Sequence, residues 1–366
     1  MKKVGIITFH HAKHSYGAFL QAYATIRSIE KLGYEAEIIN YENKYEQSEI
    51  KKSIGLKTKV WHFANWALRM FVVGGLKDPC RSKHNLDLFY KNVSKRYPTV
   101  SELDTAAYDI LLAGSDQIWS PDVCDGLDPA FFLDFGKADR RVSYASSVGS
   151  CKFTEMELEQ ISKYLSRFSA ISVRELYAAE LLEKTCGRDI KVVCDPTLLL
   201  SGDQWRAEFK SEFDRFRKKE RYILTYFVGG NINDYWERIS GYVKLLKLPV
   251  YNVQSHSKKY PNVSRSVYNI MPGDLLAYID NADLVLTDSF HGTAFSINLG
   301  KNFVAVINKK NPVRVLNLLD SLELNDRTDD EIQDVRSDID YSSVDRRLSL
   351  IREDSYKWLS NALNDK

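Results

Sequence analysis

The chain is 366 residues long and 44% hydrophobic, which suffices to bury a large core and exceeds what one core usually organises, so two domains are expected. Its 51 Lys and Arg against 49 Asp and Glu leave a formal charge of +2, which excludes the broad cationic field of a nucleic-acid binder. Five cysteines with no Cys-x-x-Cys pair argue against both a disulfide framework and a structural zinc site.

In chain order, Val4 to Phe9 reads as a buried strand, followed by a polar loop from His10 to Tyr16 and a helix from Gly17 to Leu32 that Gly33 ends. Glu35 to Asn40 is the next strand. Between 51 and 83 lies a basic segment around Trp61, Phe63, Trp66 and Phe71, too short to span a bilayer. Its composition suits either contact with an anionic lipid surface or a helix packed on the domain with solvated lysines. Further strands are Asp109 to Ala113, Arg141 to Ser146, Ala170 to Val173 and Ile190 to Cys194. After a charged stretch from Ser201 to Glu220, a second set follows: Tyr222 to Val228, Pro249 to Val253, Leu284 to Thr287 and Phe303 to Ile307, then a final helix from Ser342 to Leu363. Helical patterns alternate with most strands, the rhythm of doubly wound parallel sheets that bind ligands beyond their C-terminal strand ends. The expected division is 1–215, 216–341 and 342–366, with the last helix packing across the junction. The opening residues run from Lys3 into Val4 without a signal-peptide pattern, so the expected location is cytoplasmic.

Four segments carry candidate chemistry. The elbow Thr287-Asp288-Ser289-Phe290-His291-Gly292 joins a buried strand to a helix N-terminus, where orphan N–H groups favour an anion and His291 suits proton transfer. Gly292 spares a side chain where something approaches the backbone. The loop His10-His11-Ala12-Lys13-His14-Ser15-Tyr16 follows the first strand; zinc is weighed against anion or hydroxyl binding, and no carboxylate stands there to orient three histidines, so no metal is expected. Gly114-Ser115-Asp116-Gln117-Ile118-Trp119 offers paired acceptor and donor groups and an aromatic platform, with a simple turn over a core tryptophan as the competing reading. Arg174, at another strand end, suits a carboxylate or phosphate, or a salt bridge to Glu175 or a neighbour. Lys309, Lys310 and Arg314 follow the last strand and add positive potential.

With these segments in this order, the chain resembles the polysaccharide pyruvyl transferase family. The residues that carry the resemblance are Phe9-His10-His11 with Ser15 to Tyr23, Gly114 to Trp119, Ser172-Val173-Arg174-Glu175, Asp195-Pro196-Thr197 and Asp288 to Gly292. It implies an α/β fold of two Rossmann-like doubly wound domains, like the twin-Rossmann (GT-B-like) glycosyltransferases, with an interdomain cleft. It also implies transfer of the enolpyruvyl group of phosphoenolpyruvate to two hydroxyls of a sugar in a capsular or other surface polysaccharide precursor, with phosphate released. No cofactor is expected.

On that resemblance His291 is the proton donor or a donor to the departing phosphate, and Asp116 a possible base. Arg174, Ser289, Gly292, Lys13 and Arg314 face the donor, held by the C-terminal domain. His10, His11, Tyr16, Ser115, Gln117 and Trp119 face the acceptor, a glycan or lipid-linked oligosaccharide, in the N-terminal domain. One position departs from the family pattern: better-known members carry an arginine two places before the histidine, and this chain has Ser289. A replacement cation is expected among Lys13, Lys301, Lys309, Lys310 and Arg314. Two other readings stay open, a nucleotide-sugar glycosyltransferase on the same fold and a non-catalytic glycan-binding protein of a polysaccharide assembly complex. Peripheral contact with the inner face of the membrane through 51–83 is a further expectation.

Overall fold

Val4, Ile6 and Ile7 have no solvent exposure, and the strand they form, β1 (Lys3–Ile7), is the middle of a parallel sheet. A computed structural model describes residues 1–10, 15–41, 43, 89–105, 107–216, 220–255, 258–268, 270–308 and 312–364. The basic aromatic segment 51–83, together with His11, Lys13, Lys309 and Lys310, lies outside the described residues. Among the described residues no helix is long and apolar enough to cross a membrane.

From β1 the chain enters α1 (Tyr16–Lys31), capped by Ser15, whose hydroxyl accepts from the Ala18 N–H at 3.2 Å, and terminated at Gly33 with φ of 87°. Then follow β2 (Glu35–Tyr41), β3 (Val93–Tyr97), β4 (Ile110–Ala113), β5 (Arg140–Ser146), α2 (Glu155–Leu165), β6 (Ala170–Val173), α3 (Leu176–Cys186) and β7 (Lys191–Val192). The sheet order is β3-β2-β1-β4-β5-β6-β7, all parallel, with Val4 opposite Ala36 on one side and Ile110 on the other. The sequence pattern misses β3 because this edge strand reads Val-Ser-Lys-Arg-Tyr and is mostly half-buried or exposed, with no apolar run to announce it.

The second sheet comprises β8 (Ile223–Tyr226), β9 (Val250–Val253), β10 (Arg265–Val267), β11 (Leu284–Thr287) and β12 (Phe303–Ala305) in the order β10-β9-β8-β11-β12, again parallel. β10, three residues at an edge, is likewise invisible in the sequence pattern. Between these strands run α7 (Ile232–Leu246), α8 (Pro272–Asn281) and α9 (Phe290–Asn298), and α10 (Val313–Ser321) follows β12. Each sheet reverses its winding beside its first strand, between β1 and β4 and between β8 and β11. In such sheets the crevice at the reversal is where ligands bind.

After the short α4 (Pro196–Leu199), the charged stretch from Ser201 holds α5 (Gly202–Glu208) and α6 (Lys210–Arg215). These touch both units. Trp205, fully buried, packs against Tyr23 of the first unit and edge-on against Phe295 of the second, and Arg206 pairs with Asp280 at 2.7 Å while Tyr23 donates to Glu208 at 2.5 Å. The last helix, α11 (Tyr341–Asn364), is about 36 Å long at 1.5 Å per residue. Its first residue donates to the Lys301 carbonyl of the second unit at 2.5 Å, and Tyr356 near its end donates to the Ser28 carbonyl of the first at 2.8 Å. The same buried apolar cluster includes Ile6, Phe19 and Tyr144 from one unit and Leu224, Val285 and Phe295 from the other.

Candidate active site

The C-terminal ends of β4 to β7 carry a buried ion network. Arg174, just past β6 and 7% exposed, donates from Nη1 to Asp195 Oδ2 at 2.6 Å and from Nε to Glu175 Oε1 at 3.3 Å. Ser115, after β4, donates to the same Asp195 oxygen at 2.9 Å, and the Thr197 N–H and hydroxyl fill Oδ1 at 3.0 and 2.7 Å. Asp195 is thus a capping residue for α4 and the anionic centre of the site at once. Burial alone would raise its pKa; Arg174, with help from His291 and the Thr197 bonds, brings it down to about 2. Glu175 Oε1 also accepts from Ser147 at 2.6 Å, and the backbone reaches that position through Ala145, which sits at φ of 54° where the β5 to β6 register shifts.

The second unit brings a histidine against this network. Ser289 caps α9, accepting from the Gly292 N–H at 3.3 Å, and places Phe290 and His291 in the first turn. His291 is 8% exposed, with Nε2 3.9 Å from Asp195 Oδ1, too far for a hydrogen bond. Its ring lies over Gly17 of α1, where a Cβ would overlap Nδ1. Burial lowers the His291 pKa below the ordinary value; Asp195 and Asp116 oppose that shift, and Arg174 and Arg314 add to it. Burial thus favours the neutral form of this imidazole.

Phe290 forms a shelf between two cations. The Arg174 guanidinium lies 4.6 Å from its ring centroid and that of Arg314, from the first turn of α10, lies 5.9 Å away. Burial and then the nearby Arg174 charge lower the pKa of Arg314, and Asp116, Glu175 and Asp195 oppose that shift. Arg174 Nη2 and Arg314 Nε are buried and have no hydrogen-bond partner among the described residues. Both arginines, with Glu175, Asp195 and Phe290, line a cavity of about 370 Å³. Asp116, half-buried with φ of 77°, completes the group of charges acting on His291 and both arginines.

The structure brings His291, Arg174, Asp116 and Arg314 together and gives several other sequence-predicted residues structural roles. Trp119 is 1% exposed, donates to the Phe131 carbonyl at 2.9 Å and stacks on Phe132, so it belongs to the core and offers no platform to a ligand. Ser115 has no exposure and its hydroxyl is committed to Asp195. His10 is 1% exposed with Nδ1 3.0 Å from the Thr8 carbonyl. Tyr16 packs its ring against Tyr226 across the junction, 6.3 Å between centroids. What approaches the backbone at Gly292 is the Thr287 side chain rather than a ligand. Gln117 remains half-buried near Gly149, and Ser289 acts as a cap. Of the cations weighed as a substitute at Ser289, Lys301 donates to the Asp280 carbonyl at 2.6 Å, which leaves Arg314 as the described one beside His291. Sequence reasoning passed over Asp195 and Phe290 as site residues. The Asp-Pro-Thr turn after a strand was the available signal for the first, and nothing local marks the second. Among the described residues no group of three or more His, Cys, Asp or Glu side chains is arranged to hold a metal.

The sequence profile described as "Polysaccharide pyruvyl transferase" matches residues 16–310, which include every element of this site but Arg314. The chain belongs to that family. It is accordingly a transferase, and its two parallel α/β units form a twin-Rossmann architecture. No curated protein matches this pyruvyl transferase family member in sequence. Among solved structures it is similar to the UDP-GlcNAc 2-epimerase from Methanocaldococcus jannaschii, at 11% identity and a TM-score of 0.48 over 96% of this chain and 92% of that one. It is also similar to Arabidopsis thaliana UGT89C1 complexed with UDP, at 12% identity and 0.45 over 97% and 94%. A third is the Neisseria meningitidis UDP-GlcNAc 2-epimerase bound to UDP-GlcNAc, at 10% identity and 0.46 over 99% and 94%.

Proposed function

We propose that this family member transfers the enolpyruvyl group of phosphoenolpyruvate to two hydroxyls of a glycan, forming a pyruvate ketal. The observation that carries the reading is the convergence of Arg174 and Arg314 on the Phe290 ring beside the buried His291. A carboxylate and a phosphate on one small molecule would satisfy the unpartnered Arg174 Nη2 and Arg314 Nε and relieve the repulsion between the two guanidiniums. Negative charge there also raises the basicity of His291, so donor binding itself would load the proton that the reaction spends.

In this scheme protonated His291 gives its proton to the methylene carbon, and the first sugar hydroxyl adds to the neighbouring carbon while losing its own proton, with Asp116 the candidate base. The carbon–oxygen bond to phosphate breaks, the second hydroxyl closes the ketal, and of the two hydroxyl protons one ends in the new methyl group and one on phosphate. Arg314 supplies the charge that Ser289 lacks. The acceptor would be a surface-polysaccharide precursor, free or lipid-linked. Incubation with phosphoenolpyruvate and a panel of aryl and lipid-linked glycosides should release phosphate together with the matching mass gain of the acceptor. Arg314→Gln should raise the KM for phosphoenolpyruvate at least tenfold. Phosphate release that is absent with every acceptor, or a KM unchanged in Arg314→Gln, would remove the assignment.

A further inference from the structure

The second sheet reverses its winding between β8 and β11, and a diphosphate of a nucleotide would be expected at the turn after β8, on the backbone N–H groups there and the N-terminus of the next helix. In this chain those donors are already taken. Asp288, at the end of β11 and 7% exposed, accepts the Val228 N–H on one oxygen at 2.7 Å and the Gly229 N–H on the other at 2.8 Å. The Tyr235 hydroxyl donates to the second oxygen at 2.5 Å. Two consecutive amides closing on one anion form a nest, and here the anion belongs to the protein. The helix that follows is closed in the same way. Asn231 accepts the Asn233 N–H at 3.0 Å, and Asp234 accepts the Asn231 N–H at 2.8 Å. A Cβ at Gly229 would overlap first the Asn308 amide and then Asp288, and one at Gly230 would come within 2.8 Å of Asp234, so the glycines make room for the polar groups that fill the turn.

We infer that Asp288 is a specificity-determining residue that occupies the diphosphate position of the second domain and excludes nucleoside diphosphates and nucleotide sugars. A diphosphate entering this crevice would have to displace a buried carboxylate that then lies beside it. Like charges about 4 Å apart at a protein surface weaken binding roughly a thousandfold. The consequence is that the second domain refuses a nucleotide sugar by a plugged site. The inference stands apart from the identity of the donor, since it concerns what the second domain refuses.

Isothermal titration of the full chain with UDP and with inorganic pyrophosphate tests it. With the cation pair disabled by Arg314→Gln, the protein should show no saturable binding of either through the millimolar range, and the Asp288 and Tyr235 variants carry the same background. Asp288→Ala should gain pyrophosphate and UDP binding by at least a hundredfold over that limit. Asp288→Asn, which keeps the side-chain volume, serves if the alanine variant does not fold and should also gain. Tyr235→Phe leaves the carboxylate and its two amide bonds in place and should still bind neither. Micromolar UDP binding by the Arg314→Gln protein, or folded Asp288 variants that remain unable to bind pyrophosphate, would overturn the inference. Phosphate release from phosphoenolpyruvate is scored separately, so failure of that reaction leaves these titrations to decide the role of Asp288 alone.

Discussion

Replacing Arg174 by methionine separates the electrostatic role of the network from simple packing. At an effective dielectric of 20 the attraction to Asp195 at 2.6 Å is about 6 kcal/mol and that to Glu175 at 3.3 Å about 5 kcal/mol, before desolvation is subtracted. Because Asp195 and Glu175 are each 1% exposed, Arg174→Met strands two buried carboxylates and should cost about 3–5 kcal/mol. Asp195→Asn leaves Arg174 paired with Glu175 and should cost less, about 1–3 kcal/mol. The double variant should be more stable than the sum of the two losses predicts by about 1.5–3 kcal/mol. Urea unfolding followed by the fluorescence of buried Trp119 and Trp205 measures all four proteins. The pH response supplies a second reading. Asp195 is held at about 2 when folded, so its stabilisation, roughly 2 kcal/mol, is fully present above its unfolded pKa near 4 and is lost as pH falls toward 2. Without Arg174 the folded pKa of Asp195 rises, so that acid-dependent loss should shrink, and it reverses if burial carries the folded pKa above the unfolded one. Additive costs within about 0.5 kcal/mol, together with an unshifted acid limb, would refute the reasoning.

His291 should titrate below 6.5 in NMR spectra of the ligand-free protein, so stability falls as pH drops from about 6.5 toward its folded pKa; Asp116→Asn should push the titration lower still, because Asp116 opposes the depression. Gly17→Ala drives a methyl group into the His291 ring and should cost about 1–3 kcal/mol in denaturant unfolding while abolishing transfer. Trp119→Phe removes a core hydrogen bond and packing, lowering stability by about 1–3 kcal/mol with the acceptor KM unchanged; a raised KM would return Trp119 to the binding surface.

The α/β class, the strands at the centre of both sheets and the long helix after residue 341 are legible in the sequence, because buried parallel strands are short apolar runs and helices show their own period. Edge strands β3 and β10 are not, since an edge may be polar without penalty. The elbow at Thr287 to Gly292 and the histidine in it are equally plain, because a strand, a cap and a helix start lie within one short stretch. Contacts between distant residues are a different matter. Whether Trp119 faces a ligand or Phe132, whether Ser115 meets a sugar or Asp195, and which cation lies beside the elbow all depend on residues 13 to 80 positions apart. Local pattern holds the elements and their caps. The partners of each charged or aromatic side chain, and hence the site, were decided by packing the second unit's α9 and α10 against the strand ends of the first.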